Sequence, residues 1–221
     1  YRCFCSPEDL EAERQKAKAA GLAYVYSGRC LGLTEDESLA CTAVGMPWVL
    51  RLKAPRGGTT VVKDLLRGSV SFDNALVGDI ILVRSNGVPT YNFAVAVDDA
   101  RMEITHVIRG DDHLPNTPKQ LLVLAAMGKE PPAYAHLPLI LGQDRTPLSK
   151  RHGSSSLEEF RSHGFVREAL CNYLALLGWS YDAETTLFSM DELVEKFSLE
   201  RVGSTAAVFD SESTGEALIT V

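Results

Sequence analysis

The chain has 221 residues, 45% of them hydrophobic and 23% charged, and a net charge of −7 from 22 basic and 29 acidic side chains. This is ordinary globular composition, which excludes a disordered or collagen-like chain, and the length allows one or two domains at roughly 100–200 residues each. The acidic balance counts against generic nucleic-acid binding, which needs clustered Lys and Arg against phosphate, but it leaves room for a local basic site. No apolar run approaches the ~20 residues of a membrane-spanning helix. The start at Tyr1 has no signal-peptide anatomy and no methionine, which leads us to expect a missing start or a cut chain. Five cysteines, an odd number in a chain this long, fit a reduced, cytoplasmic protein with a metal site better than a disulfide scaffold.

Ser6 to Gly21 reads as a solvated helix, with Ser6 and Asp9 close to a capping box and Gly21 as the stop. From Pro47 to Phe93 the signals are those of strands. Trp48 to Lys53 alternates apolar and polar residues, Ile80 to Arg84 is β-rich, and Asn86-Gly87 between strand-like runs predicts a hairpin turn. Ile104 to Arg109 predicts a short buried strand, Asn116 to Met127 a helix capped by Asn116 or Thr117, and His136 to Leu141 a second strand. Strand, helix, strand is the unit of a parallel α/β sheet. From Leu157 the chain reads as helical, with an apolar helix over Val166 to Leu177 and a capping box at Ser189 to Glu192.

The loop after the second strand carries the chemistry: Gly142-Gln143-Asp144-Arg145-Thr146-Pro147-Leu148-Ser149-Lys150-Arg151-His152-Gly153-Ser154. Ligands of open α/β sheets bind at the carboxyl ends of the strands, where this loop begins. Adjacent Lys150 and Arg151 suit a polyphosphate whose charge grows in the transition state, or else form a solvated basic turn.

Leu148 to Gly153 resembles the Lys-Met-Ser-Lys-Ser-type signature of class I aminoacyl-tRNA synthetases, in the variant found in glutamyl-tRNA synthetases. Three further stretches agree in order and spacing: Gly87 to Ala94, Val97-Asp98-Asp99, and Thr105 to His113. The resemblance runs from Tyr1 to about Asp210. It implies an α/β fold: a partial Rossmann-type nucleotide-binding fold with an inserted α+β acceptor-stem module and a C-terminal helical stem-contact region. The corresponding spans are 1–92, 93–129 and 130–221. It also implies substrate contacts for Tyr91 and Arg109, with Asp112 and His113 at the pocket edge. An Arg reads a carboxylate well through a bidentate charge-assisted pair. Arg109 could instead form a structural salt bridge to Asp98 or Asp99, and Tyr91 could be a core aromatic. Ser149 and Lys150 would hold ATP, brought with Mg2+, and Lys150 with Arg151 would act on its phosphates.

The implied reaction ligates glutamate to tRNA(Glu) in two steps, through a glutamyl adenylate. The implied partners are tRNA(Glu), glutamate and ATP, with no membrane and a monomeric full enzyme. Pro147 stands where the family usually has a Lys, with Arg145 close by. The family's other ATP signature, of the His-Ile-Gly-His type, is absent, so the first half of the nucleotide fold is expected to be missing. Ser211 to Val221 looks unrelated to the family.

Cys3, Cys5 and Cys30 with Tyr26 resemble a zinc knuckle of some family members and of their shorter relatives. The alternative is three unliganded cysteines. Cys41 and Cys171 read as small core residues, His106 as a satisfied core histidine, and Gly57 to Thr60 as a turn and not a phosphate loop. Two other functions fit the same residues. One is an enzyme glutamylating the modified queuosine base of tRNA(Asp); the other is a non-catalytic tRNA-binding or regulatory module.

Overall fold

A computed structural model describes residues 1–148, 156–162 and 164–209. In chain order the elements are β1 (Arg2–Cys3), α1 (Pro7–Ala19), α2 (Glu35–Ala43), β2 (Val49–Arg51), β3 (Thr59–Asp64), β4 (Gly68–Asp73), α3 (Asn74–Val77) and β5 (Ile81–Val83). They continue with α4 (Tyr91–Arg101), β6 (His106–Gly110), a 3-10 turn over Asp111–Asn116, α5 (Thr117–Ala126) and β7 (Ala133–Leu137). The last are α6 (Leu157–Ser162), α7 (Arg167–Leu176), α8 (Met190–Lys196) and a 3-10 turn over Leu199–Arg201.

Cα packing divides the chain into two compact units. The first comprises Tyr1–Lys63, Ser69–Val107 and Leu114–Tyr134; the second comprises Asp64–Gly68, Ile108–His113 and the described residues from Ala135 onward.

In the first unit, β1, β2 and β5 form an antiparallel sheet in that order, with Arg2 opposite Leu50 and Leu50 opposite Val83. Helix α1 starts with a complete capping box between Ser6 and Asp9, which satisfies two backbone donors reciprocally, and it buries no residue. Helices α4 and α5 close a core of Ala96, Val123 and Leu124, with Leu52, Ile80 and Phe93 against it. The turn at Asn86-Gly87 forms as read, with Gly87 N–H donating to Arg84 C=O. The run after it differs from the expectation of a strand. It makes one bridge, Val83 to Pro89, and then enters α4 at Tyr91. Thr90 drives this change: its backbone is extended, and its carbonyl accepts from Phe93 and Ala94 N–H to open the helix. Asp98 and Asp99 therefore lie inside a helix.

A second sheet has the order β4, β3, β7, β6, and β6, α5 and β7 make the expected strand–helix–strand unit. β6 is less buried than its apolar sequence suggests, because it is an edge strand: Ile108 is 50% exposed and His106 is also exposed. His106 is thus a surface residue whose Nδ1 lies 3.0 Å from Thr105 Oγ1, not a core histidine. β7 begins three residues earlier than expected, which places His136 inside the strand. Asn116 precedes α5 without a side-chain cap, because the 3-10 turn runs straight into the helix.

In the second unit, Trp179, Phe188 and Leu193 form a core beside α7 and α8, and Ser189 with Glu192 makes the expected capping box. Among the described residues no helix is long and apolar enough to cross a membrane.

Candidate functional site

Two constellations stand out, one in each unit. The first is built on β1 and the segment Tyr26 to Cys30. Extended backbone alternates its side chains, so Cys3 and Cys5 point the same way. Their sulfurs and that of Cys30 all lie within 4.8 Å of one another. Cys5 and Cys30 sulfurs are 3.6 Å apart, and the Tyr26 hydroxyl is 3.3 Å from Cys3 Sγ and 3.5 Å from Cys5 Sγ. A tetrahedral zinc with sulfur at about 2.3 Å and oxygen at about 2.0 Å sets sulfurs about 3.7 Å apart and oxygen about 3.5 Å from sulfur. The Cys5–Cys30 separation and the distances from the Tyr26 hydroxyl to Cys3 and Cys5 match that cage. Phe4 N–H points at Cys30 Sγ at 3.4 Å, the kind of contact that steadies a thiolate.

Burial pushes the Cys5 thiol up to about 12, and burial with the Cys3 contact raises the Tyr26 phenol. Burial also opposes the Cys3 thiolate, but hydrogen bonds from Tyr26 and Arg51 outweigh it and lower Cys3. The Arg51 guanidinium also lies over the Tyr26 ring at 3.8 Å. Cys41 and Cys171 are half-buried and stand outside this cluster.

The second constellation lies in the second unit, where the last residue of β3 and the next-to-last residues of β6 and β7 supply Asp64, Arg109 and His136. Arg109 Nε donates to His136 Nε2 at 3.2 Å. His136 Nδ1 lies 2.6 Å from Asp64 Oδ2, with both side chains fully buried. Asp64 Oδ1 accepts from Leu66 and Arg67 N–H at 2.9 Å each, closing the turn into β4, and from His136 N–H at 3.3 Å. Burial works to raise the Asp64 carboxyl, but the His136 contact and these N–H groups win and hold it below the usual carboxylate range. Arg67 continues the network, with Nε on His136 C=O at 3.4 Å and Nη2 on Asp111 Oδ2 at 2.5 Å.

Of the residues singled out from sequence, Arg109, Asp112 and His113 belong to this second unit. Asp112 and His113 sit in the 3-10 turn, half-exposed, with carboxylate and imidazole 3.8 Å apart. Tyr91 belongs to the first unit, opens α4 and is 49% exposed, so it is not a core aromatic. Ser149, Lys150 and Arg151 lie outside the described residues. The sequence reading missed Asp64, Arg67 and His136. One signal was available: a histidine inside an apolar strand must find a buried partner.

β6, α5 and β7 thus form a strand–helix–strand segment with Arg109 near the carboxyl end of its first strand. Residues 1–214 match the family of tRNA synthetases class I (E and Q), catalytic domain, and the chain belongs to that family. It is 52% identical over 212 residues to the glutamate–tRNA ligase of Heliobacterium modesticaldum, covering 96% of this chain and 43% of the relative. To the glutamate–tRNA ligase of Aquifex aeolicus it is 50% identical, over 96% of this chain and 45% of the relative. The crystal structure of the glutamate–tRNA synthetase of Elizabethkingia anophelis superposes with a TM-score of 0.87 at 33% identity, covering 98% of this chain and 49% of that one. The chain therefore spans less than half the length of these relatives.

Proposed function

We propose that this chain serves as part of the catalytic core of a glutamate–tRNA ligase acting in the cytoplasm, monomeric in the full enzyme. The observation that carries the reading is 52% identity to such a ligase across 96% of the chain. The glutamate α-carboxylate attacks the α-phosphorus of ATP and pyrophosphate leaves. The terminal ribose hydroxyl of tRNA(Glu) then attacks the adenylate carbonyl, and AMP leaves. Neither step needs a protein base of special strength, so catalysis rests on positioning and on stabilising phosphate charge. Arg109 reads the glutamate side-chain carboxylate with Asp112 and His113 beside it, and Tyr91 also contacts the substrate. Ser149 and Lys150 hold the Mg2+-bound ATP, and Lys150 with Arg151 meets the charge that develops on the phosphates.

Residues 1–92 would contact the acceptor stem, 93–129 complete the nucleotide fold, and 130–221 carry the phosphate loop against the stem. Cys3, Cys5, Tyr26 and Cys30 hold a structural zinc. Its support is the match of the Cys5–Cys30, Tyr26–Cys3 and Tyr26–Cys5 separations to a tetrahedral cage, with the three sulfurs within 4.8 Å of one another. All four belong to the acceptor-stem segment, so the zinc stabilises tRNA binding and takes no part in the chemistry.

The test is glutamate transfer by the protein isolated from its source, with ATP and defined tRNA. Ester formation at the 3′ end of tRNA(Glu) is expected. Transfer only to an anticodon base of tRNA(Asp), or tRNA binding without any ATP-dependent transfer, would overturn the reading.

A further inference from the structure

Arginine guanidinium groups only donate hydrogen bonds, and they keep their proton under all ordinary conditions. The 3.2 Å contact from Arg109 Nε to His136 Nε2 therefore requires a lone pair on that imidazole nitrogen. The ring proton then sits on Nδ1, 2.6 Å from Asp64 Oδ2. Asp64 is in turn fixed by three backbone N–H groups, from Leu66, Arg67 and His136, and Arg67 also ties the His136 carbonyl to Asp111. A buried carboxylate and a buried imidazole in such a chain are too well satisfied to move independently.

We infer that Asp64 and His136 are positioning residues for substrate recognition: Asp64 selects the His136 tautomer, and His136 Nε2 clamps Arg109 through Nε. The contact at Nε sets the plane and angle in which the Arg109 guanidinium is presented. A lysine at position 109 has no nitrogen to give His136 and would lose both the clamp and the fork. This inference rests on the reading of Arg109 as the glutamate-binding residue.

Two measurements test it separately. The first uses 15N-histidine labelling of the 221-residue chain. His136 is expected in the Nδ1–H form, and Arg109→Ala is expected to shift its Nε2 resonance. A proton on Nε2, or an Nε2 resonance indifferent to Arg109→Ala, would overturn the clamp even if the protein is a glutamate ligase. The second measures glutamate-dependent pyrophosphate exchange, with tRNA present, in the protein isolated from its source. His136→Leu removes the acceptor and is expected to raise the glutamate KM at least tenfold with the ATP KM unchanged. His136→Gln presents a carbonyl oxygen near the Nε2 position and is expected to recover much of that loss. Equal loss in both variants, or parallel changes in the two KM values, would assign His136 a purely structural role and overturn the inference. An unsubstituted protein without glutamate-dependent exchange but with the expected tautomer would overturn the substrate reading and the purpose of the clamp, leaving the clamp itself intact.

Discussion

Asp64 Oδ2 and His136 Nδ1 lie 2.6 Å apart in full burial, although 72 positions separate them in the chain. Because the Asp64 carboxyl is held below its usual range, the folded state binds fewer protons than the unfolded one as acid is added. The stability it contributes is complete above the ordinary aspartate value of about 3.9 and is lost as pH falls through the lowered folded value. The unfolding midpoint is therefore expected to drop below about pH 4. Asp64→Asn removes the charge; it should lower stability at pH 7 by about 2 kcal/mol, or roughly 4–8 °C in midpoint, and flatten the acid limb. Thermal denaturation across pH, followed by circular dichroism, checks both.

Arg109→Lys keeps the charge and loses the fork. The expected result is a fall in kcat/KM for glutamate of about 100-fold, or ~2.7 kcal/mol, with ATP saturation little changed. Steady-state exchange kinetics in glutamate and ATP separate the two.

The cysteine cluster predicts a metal stoichiometry. One zinc per chain is expected on isolation, and Cys30→Ser is expected to abolish it. Metal release by a chelator should lower the unfolding midpoint by several degrees, since a structural zinc binds the folded state and not the unfolded one. Zinc content by atomic absorption, with denaturation before and after chelation, provides the check. A stoichiometric zinc that survives Cys30→Ser would remove Cys30 from the cage.

Gly78 is a backbone position of low tolerance. It ends α3 with φ +65° and ψ −177°, and an added Cβ would sit 2.5 Å from Val25 Cγ1. That region of conformational space is open almost only to glycine. Gly78→Ala is expected to cost about 2 kcal/mol or more and to lower the midpoint by at least ~4 °C. A change of less than a degree in calorimetry would refute the strain.

The Arg67–Asp111 pair lies partly in solvent, with side chains 27% and 29% exposed. Asp111→Asn is therefore expected to cost only about 1 kcal/mol in urea denaturation. A much larger loss would mean that Arg67 governs the position of His136.

Local signals carried much of the fold. The Ser6–Asp9 and Ser189–Glu192 capping boxes stand where the sequence puts them, because a cap needs only residues three apart. The Asn86-Gly87 turn and the β6–α5–β7 unit were legible for the same reason. The reading failed where position in a sheet overrides composition. His106 and Ile108 look like core residues, but their strand lies at a sheet edge, which no local pattern announces.

By itself the sequence singled out the candidate residues: Arg109 within its stretch, the spacing of Cys3, Cys5, Tyr26 and Cys30, and the Lys150-Arg151 pair. Such residues are readable because their chemistry belongs to the side chain and their spacing to the local backbone. Only the tertiary structure decided what stands behind Arg109. Asp64 and His136 come from separate strands and share no motif, and each alone reads as an ordinary polar residue. Folding removes both from water, and a buried carboxylate must then find donors and a buried imidazole a partner for each nitrogen. That requirement joins the two side chains and sets His136 Nε2 against Arg109 Nε.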